Sequence, residues 1–441
     1  MTETELTIQF FIAPDQQGKY LTLPFTMPEN VVEMRLGYHY QTMQDDTQTV
    51  PGGQFTSRER INIIDLGLIT PDGKQAGASG SDKSNIFLSA TKATPGYSPQ
   101  PLTPGEWQIL VGAYQVAPEG VTVTYEFSFT PKQRTLLLGD IHTHTNASDG
   151  VFTPEELAVH ARRQGLDFLA ITNHNQMISS IVLNEISGIT LIPGVEWTHY
   201  QGHANFLGVN QPYDEPFFTN TEEEMKARFH SAHKRGALIV INHPCDDSCG
   251  FQFGLEDLPF DCLEIWNGPM RESNLRAVHL WQTLLESGKR IPVVGGSDYH
   301  RDSLFQILGG PCMGVYAMSN TPADILAALA AGNSYITFAP QGPTLEMVTD
   351  EAIMGDTASW HQDQTVRITG HGLKTGDVVR VIDGHESMDL FQAPGAGDIE
   401  LTYPIPAPGF VRVEIQRTFL PGLPPLPALI ANPIYFSESE K

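Results

Sequence analysis

The sequence predicts an α/β protein in which a distorted strand–helix barrel over 132–339 is flanked by a β-sandwich-like region, 1–131, and a smaller β domain, 340–441. Three observations carry this. Four segments between 150 and 335 have the start and stop signals of helices. Short apolar runs follow the first three of them. Outside that region the chain reads as short strands punctuated by Pro, Gly, Asn and Asp, with few helical patterns. Strands alternating with helices argue for a parallel sheet covered by helices, and repetition over this length argues for a barrel.

In chain order, β-like runs stand at 6–12, 31–40, 61–68, 85–90, 107–114 and 121–129. The glycine-rich stretch 77–84 superficially resembles a phosphate-binding loop. It has Asp82 where the second glycine is required and joins no strand to a helix, so it reads as a surface loop. Thr153-Pro154-Glu155-Glu156 opens the first helix with a cap, a proline at the first position and a capping-box glutamate, and Gly165 closes it. Thr221 and Glu224 open a second helix that ends at Gly236, the third lies over 272–288, and Thr321-Pro322 opens the fourth, ending at Gly332. Strands follow at 166–172, 237–242 and 291–295, and others read at 190–194, 203–209, 262–266 and 313–318. The span between Gly194 and His203 is too short for a crossover helix, so an irregular segment is expected there, with fewer than eight regular units. Beyond 340, runs at 365–369, 377–383, 410–416 and 428–436 return to strand character, and the proline-rich 421–427 reads as an extended connector.

The formal net charge is −25 over 441 residues, a surface that repels phosphate backbones and disfavours a nucleic-acid polymer as partner. Four cysteines in so long a chain do not form a disulfide scaffold. The start of the sequence carries no signal peptide, and no run approaches the roughly 20 apolar residues of a membrane span. A cytoplasmic protein acting on a small molecule, with no membrane association, is the expectation.

The chemistry concentrates at the ends of the barrel strands. His142 and His144 leave the first strand two residues apart, so their side chains share a face, and Asp149 follows closely. His174 follows the second strand, Glu196 the third, then come His203, His243, and Asp298 with His300. Residues just beyond the C-terminal ends of barrel strands converge on one mouth. Six histidines and three carboxylates there have the donor types of a metal site, and nine donors exceed one coordination sphere of about four to six. Two or three divalent ions are implied, with carboxylates such as Glu196 able to bridge ions about 3.5–4 Å apart and to make the water between them basic. No Gly-x-Ser-x-Gly elbow competes with this reading. Asn267, Arg271 and Arg301 are candidate substrate contacts, an arginine fork being suited to phosphate. His199 is a possible substitute ligand, whereas Cys245 and Cys249 lack the usual zinc-pair spacing and read as bystanders.

The succession His-x-His with Ser-Asp-Gly, Ile-Thr-x-His, Gly-Val-Glu, Gly-His, Asn-His-Pro and Ser-Asp-x-His resembles the polymerase-and-histidinol-phosphatase (PHP) superfamily of metal-dependent hydrolases. Thr94-Pro95-Gly96-Tyr97, Pro154-Glu155-Glu156-Leu157, Ile265-Trp266-Asn267-Gly268 and Asn432-Pro433-Ile434-Tyr435 look like its CehA/McbA-type branch. The resemblance implies a distorted (β/α)7 TIM-like barrel and a trinuclear centre of manganese, zinc or iron. It assigns His142, His144, Glu196 and Asp298 to one ion, Glu196, His203 and His243 to a second, and Asp149, His174 and His300 to a third. Glu196, His243 and Asp298 would carry the catalysis. Where that family has Thr-Asp-His, this chain has Thr172-Asn173-His174. The activity implied is a phosphoesterase on phosphomonoesters or phosphodiesters. The alternatives are a carboxylester, carbamate or amide hydrolase on the same ions, or a non-catalytic metal-stabilised binding protein.

Overall fold

The computed structural model describes residues 4–438 apart from 52, 91, 210–212, 257, 351 and 385. The chain divides into two compact units, Met1–Gln133 and Arg134–Lys441.

In the first unit two four-stranded antiparallel sheets enclose one apolar core. One sheet orders Thr4–Ile12, Val121–Pro131, Val31–His39 and Asn85–Ser89; the other orders Tyr20–Met27, Gly105–Gln115, Ile63–Ile69 and Gln75–Ser79. Strict alternation in Val121–Pro131 sends Val123, Tyr125, Phe127 and Phe129 inward, where they join Trp107 and Phe25. The strands Tyr20–Met27 and Gln75–Ser79 were not foreseen, and the latter takes up the first part of the expected surface loop.

The second unit is mixed α/β, built on a 15-stranded mixed sheet with few helices. Its strands and helices begin β1 (Thr135–Thr143), α1 (Pro154–Gln164), β2 (Phe168–Ile171), the single-turn α2 (Ser180–Leu183), β3 (Thr190–His199) and β4 (Gly202–Leu207). They continue α3 (Glu222–Lys234), β5 (Leu238–Ile241), β6 (Cys262–Asn267), α4 (Glu272–Glu286), β7 (Val293–Gly296), β8 (Cys312–Ala317), α5 (Pro322–Ala331) and β9 (Ser334–Thr337). The sheet runs β7-β6-β5-β4-β3-β2-β1-β8-β9 and then passes to Leu426–Ala431 and Gly409–Arg417. β1–β2, β2–β3, β5–β6 and β6–β7 pair in parallel; β3–β4 and β4–β5 pair antiparallel. A parallel bridge between Thr143 and Tyr299 brings the chain after β7 back against β1, so the two ends of the seven-strand run meet.

Local chemistry accounts for the helices. The Thr153 hydroxyl accepts from Glu156 N while the Glu156 carboxylate accepts from Thr153 N, and Gly165 takes the left-handed conformation that ends α1. In α5 the Thr321 side chain accepts from Asp324 N, Pro322 stands in the first turn, and Gly332 ends the helix in the left-handed conformation. Between Gly194 and His203 the segment is regular rather than irregular. β3 continues to His199 and turns through Tyr200-Gln201 into β4, pairing Glu196 with Asn205. Gly202, at φ +141°, makes this turn possible; a Cβ there would lie 2.8 Å from Phe251 Cα.

Among the described residues, no helix is long and apolar enough to cross a membrane.

Candidate metal centre

β1 is apolar up to Gly139 and then delivers His142 and, one residue past its end, His144, both wholly buried with ring centroids 5.4 Å apart. They reach the interior because Gly296 at the end of β7 has no side chain. A Cβ at that position would sit 2.4 Å from His142 Cβ. The turn after β1 folds back through the Gly150 N to Thr145 O hydrogen bond and swings Asp149 towards His300 (3.2 Å), His174 (3.6 Å) and His144 (3.8 Å).

Glu196 lies at the centre. Its Oε1 is 3.0 Å from His203 Nδ1, 3.3 Å from His142 Nε2 and 3.5 Å from His243 Nε2, and it accepts from Asn242 Nδ2 at 2.9 Å. Its Oε2 is 2.8 Å from His174 Nδ1 and 3.4 Å from His144 Nε2. Asp298 Oδ1 lies 3.0 Å from His144 Nε2, 3.4 Å from His142 Nε2 and 3.6 Å from His300 Nδ1. All nine donors expected from the sequence are therefore brought together around Glu196 and Asp298, from seven different strand ends and loops.

Several of these atoms have no hydrogen-bond partner although they are buried: His142 Nε2, both nitrogens of His144, Glu196 Oε2 and Asp298 Oδ1. Leaving such groups unpaired is costly, and coordination of a cation is the ordinary remedy. Among the described residues, the donor sets His142/His144/Asp298, His174/Glu196/His203, His144/Asp149/His174/His300 and His203/His243/Cys249 each gather their ligand atoms within 4.8 Å. Imidazole and carboxylate oxygen together suit zinc, iron or manganese. The residues present thus fit divalent metal ions.

The charges are mutually dependent. Burial would raise the Glu196 carboxyl, but the His142 charge and the imidazoles of His142, His174 and His203 close to its oxygens hold it well below the usual range. Burial likewise opposes ionisation of Asp298, and His142 and His144 overcome it. In His144 burial prevails and pushes the imidazole down, towards the neutral form a ligand requires.

Three supporting residues escaped the sequence reading. Glu264, in the middle of buried β6, accepts from His142 Nδ1 (2.9 Å), from the His243 backbone N–H (2.9 Å) and from Asn267 Nδ2 (3.2 Å). It sets the His142 tautomer so that Nε2 faces the centre. It also supports His243 at φ +28°, an unfavourable conformation for a residue that precedes proline. Asp140, raised to about 6 by burial against its hydrogen bonds, holds the His142 and Ser297 N–H groups and the Ser297 hydroxyl, and with them the loop carrying Asp298. The signal for both was a lone carboxylate inside an otherwise apolar strand. The third, Asn242, borders Glu196 as already described.

Asn173 is buried, and its Oδ1 accepts from Thr145 N (2.7 Å), Thr145 Oγ1 (3.0 Å) and Ser148 Oγ (3.1 Å), anchoring the turn that bears Asp149. Asn267 is buried and spans Glu264 and Asp298. Arg271, half-exposed, reaches Asn267 Oδ1 (3.2 Å) and Asp246 (3.1 Å), and Arg301 is exposed. His199 stacks on Trp197 with ring centroids 5.5 Å apart and joins none of the donor sets. Cys249, read as a bystander, stands 3.6 Å from His243 Nδ1.

No family model matches the chain. A curated relative, a 5'-3' exoribonuclease of Haemophilus influenzae, is 36% identical over 94 residues, covering 20% of this chain and 34% of that protein. The chain thus spans about a third of the length of the curated exoribonucleases it matches. Among solved structures, a two-domain protein from Bacteroides vulgatus described as containing a PHP-like metal-dependent phosphoesterase is 20% identical. That likeness covers 68% of this chain and 97% of the other, with a TM-score of 0.42. An amidohydrolase from Chromobacterium violaceum is 15% identical over 38% of this chain and 89% of its own, with a TM-score of 0.29.

Proposed function

We propose that the chain is a metal-dependent hydrolase of the PHP superfamily, in its CehA/McbA-type branch, cleaving phosphate esters of a small molecule. The observation that carries this reading is the convergence of nine donors with five buried, unpartnered ligand atoms among them. We read the seven-strand run as the distorted (β/α)7 TIM-like barrel of that family, with β domains before and after it in the sequence. Unpaired thiols at all four cysteines fit a reducing, cytoplasmic setting.

His142, His144, Glu196 and Asp298 would hold one ion, Glu196, His203 and His243 a second, and Asp149, His174 and His300 a third. Manganese, zinc or iron bound there would acidify water and neutralise charge on a phosphate. Glu196 is placed to be shared, since each of its oxygens faces a different set of imidazoles. Asp298, whose Oδ1 faces the imidazoles, is suited to accept the proton of the attacking water on its other oxygen, Oδ2. His243, fixed by Glu264, keeps one face of the reacting centre closed. Arg271 is oriented by Asp246 and, with Arg301, offers guanidinium donors to a phosphate, while Asn267 holds Arg271 and Asp298 in register.

The stretch shared with a protein named as an exoribonuclease favours phosphate over carboxyl chemistry. The net charge of −25 argues for a small substrate rather than a polymer. The test is hydrolysis of model phosphomonoesters and phosphodiesters with Mn²⁺, Fe²⁺ or Zn²⁺ added, beside aryl esters, carbamates and a short oligoribonucleotide. Turnover of a phosphoester that His142→Ala abolishes is expected. Turnover confined to the ester and carbamate arms would transfer the assignment to that chemistry, and none with any metal would reject the hydrolase.

A further inference from the structure

We propose that the first unit carries a carbohydrate-binding site on the outer face of the sheet containing Tyr20–Met27, Gly105–Gln115 and Ile63–Ile69. Tyr20 and Tyr114 there receive the sugar rings of a neutral polysaccharide, and Asp65 receives their hydroxyl groups. The inference is independent of the metal centre.

Alternation along the strands separates the two faces of this sheet. Leu21, Ile64, Leu66, Val111 and Ala113 belong to the core, so Tyr20, Asp65, Gly112 and Tyr114 face outward. The register sets three of them in one row across three strands, Tyr20 pairing with Gly112 and Gly112 with Asp65. At about 4.8 Å per strand, the tyrosine and the aspartate stand about 10 Å apart with a glycine between them. Tyr114 follows two residues on, a diagonal neighbour of Tyr20 at about 7–8 Å. The two tyrosines are 77% and 70% exposed.

Gly112 makes the room. A Cβ there would lie 3.0 Å from Asp65 Cβ, 3.3 Å from Tyr20 Cε1 and 3.6 Å from Asp65 Oδ2, so the ring and the carboxylate lean towards the same point. Glycine inside an inner strand weakens a sheet and often marks the close approach of a ligand or of another backbone. Here the near atoms all belong to side chains, so no crossing backbone calls for it. A hollow of about 260 Å³ opens above Gly112 and Gly67, and a second of about 90 Å³ adjoins it on the side of Tyr114; Tyr20 and Asp65 border both.

The chemistry of the lining selects the ligand. Asp65 repels an anion, and the Lys19 ammonium beside the second hollow opposes a cation. A neutral polyol suits both, because each hydroxyl donates to a carboxylate and accepts from an ammonium. The C–H face of a pyranose packs against a phenol ring, which offers an apolar body and a polar tip. Two adjoining hollows take successive units of a chain, which favours a polysaccharide over a single sugar.

Affinity electrophoresis of the full chain in gels containing neutral polysaccharides (a β-glucan, an α-glucan, a xylan and a galactomannan) tests this without reference to hydrolysis. Retardation by at least one of them is expected. Tyr20→Ala, Tyr114→Ala and the shape-preserving Asp65→Asn should each weaken it at least about fivefold, with an unchanged circular dichroism spectrum and unchanged metal content. No retardation by any of the four, or retardation that all three variants retain, would overturn the proposal. Retardation by an anionic polymer such as dextran sulfate and by none of the neutral ones would overturn it as well. None of these outcomes bears on the hydrolase reading.

Discussion

Glu264 shows how much of the centre depends on side chains that need not touch an ion. One carboxylate holds a ring nitrogen of His142, the backbone of His243 and the amide of Asn267. Glu264→Gln keeps the shape and removes the charge facing His142 Nδ1. Metal affinity, measured by chelator competition, should fall about 10–100-fold while the circular dichroism spectrum stays unchanged. Asn173 makes the opposite case. An aspartate there could accept the same three hydrogen bonds and add negative charge beside the Asp149, His174 and His300 donors. Asn173→Asp should therefore raise the number of ions retained after gel filtration, and an unchanged count would separate this residue from the third position. The nine donors were legible in the sequence because histidines and carboxylates recurred after apolar runs. Glu264 and Asp140 were not, because a single acid inside a buried strand announces nothing about what it faces until its neighbours are in place.

The elements differ in how openly their sequence declared them. α1 and α5 were readable to their caps, since threonine, proline and glycine each act locally on the backbone. The β3–β4 hairpin was not, because the expected rhythm of strand and helix left no place for antiparallel pairing inside the run. The turn at Tyr200-Gln201-Gly202 was the available signal. The hairpin matters because it presents Glu196 and His203 from adjacent strands. Gly202→Ala would introduce a Cβ 2.6 Å from the Phe251 ring at a left-handed φ. A loss of about 1–3 kcal/mol in unfolding free energy is expected, read by urea titration, with weakened metal retention alongside. A variant as stable as the wild type would show that the turn tolerates a different path. Farther along, Arg417 grips Asp377 through two hydrogen bonds of 2.8 and 2.6 Å, both side chains being nearly inaccessible. Asp377→Asn should cost about 3–5 kcal/mol, because it leaves a buried guanidinium without its counter-charge.

At the scale of the whole chain, the second unit is a mixed sheet whose strands carry a cluster of charged and polar side chains into its interior. Such a cluster has a reason to persist only if something compensates it. Ions that bind the folded state and not the unfolded one stabilise it by about 2.7 kcal/mol at a hundredfold excess over their dissociation constant. Removing them with a chelator should lower the thermal midpoint by a few degrees, and zinc or manganese should restore it. The most direct measurement of the central claim is the metal content of the purified protein, determined by elemental analysis beside a Glu196→Ala variant. The account predicts two or three divalent ions per chain in the wild type and a loss of at least one in the variant. Fewer than one ion per chain after incubation with zinc, manganese or iron, or equal content in both proteins, would contradict it.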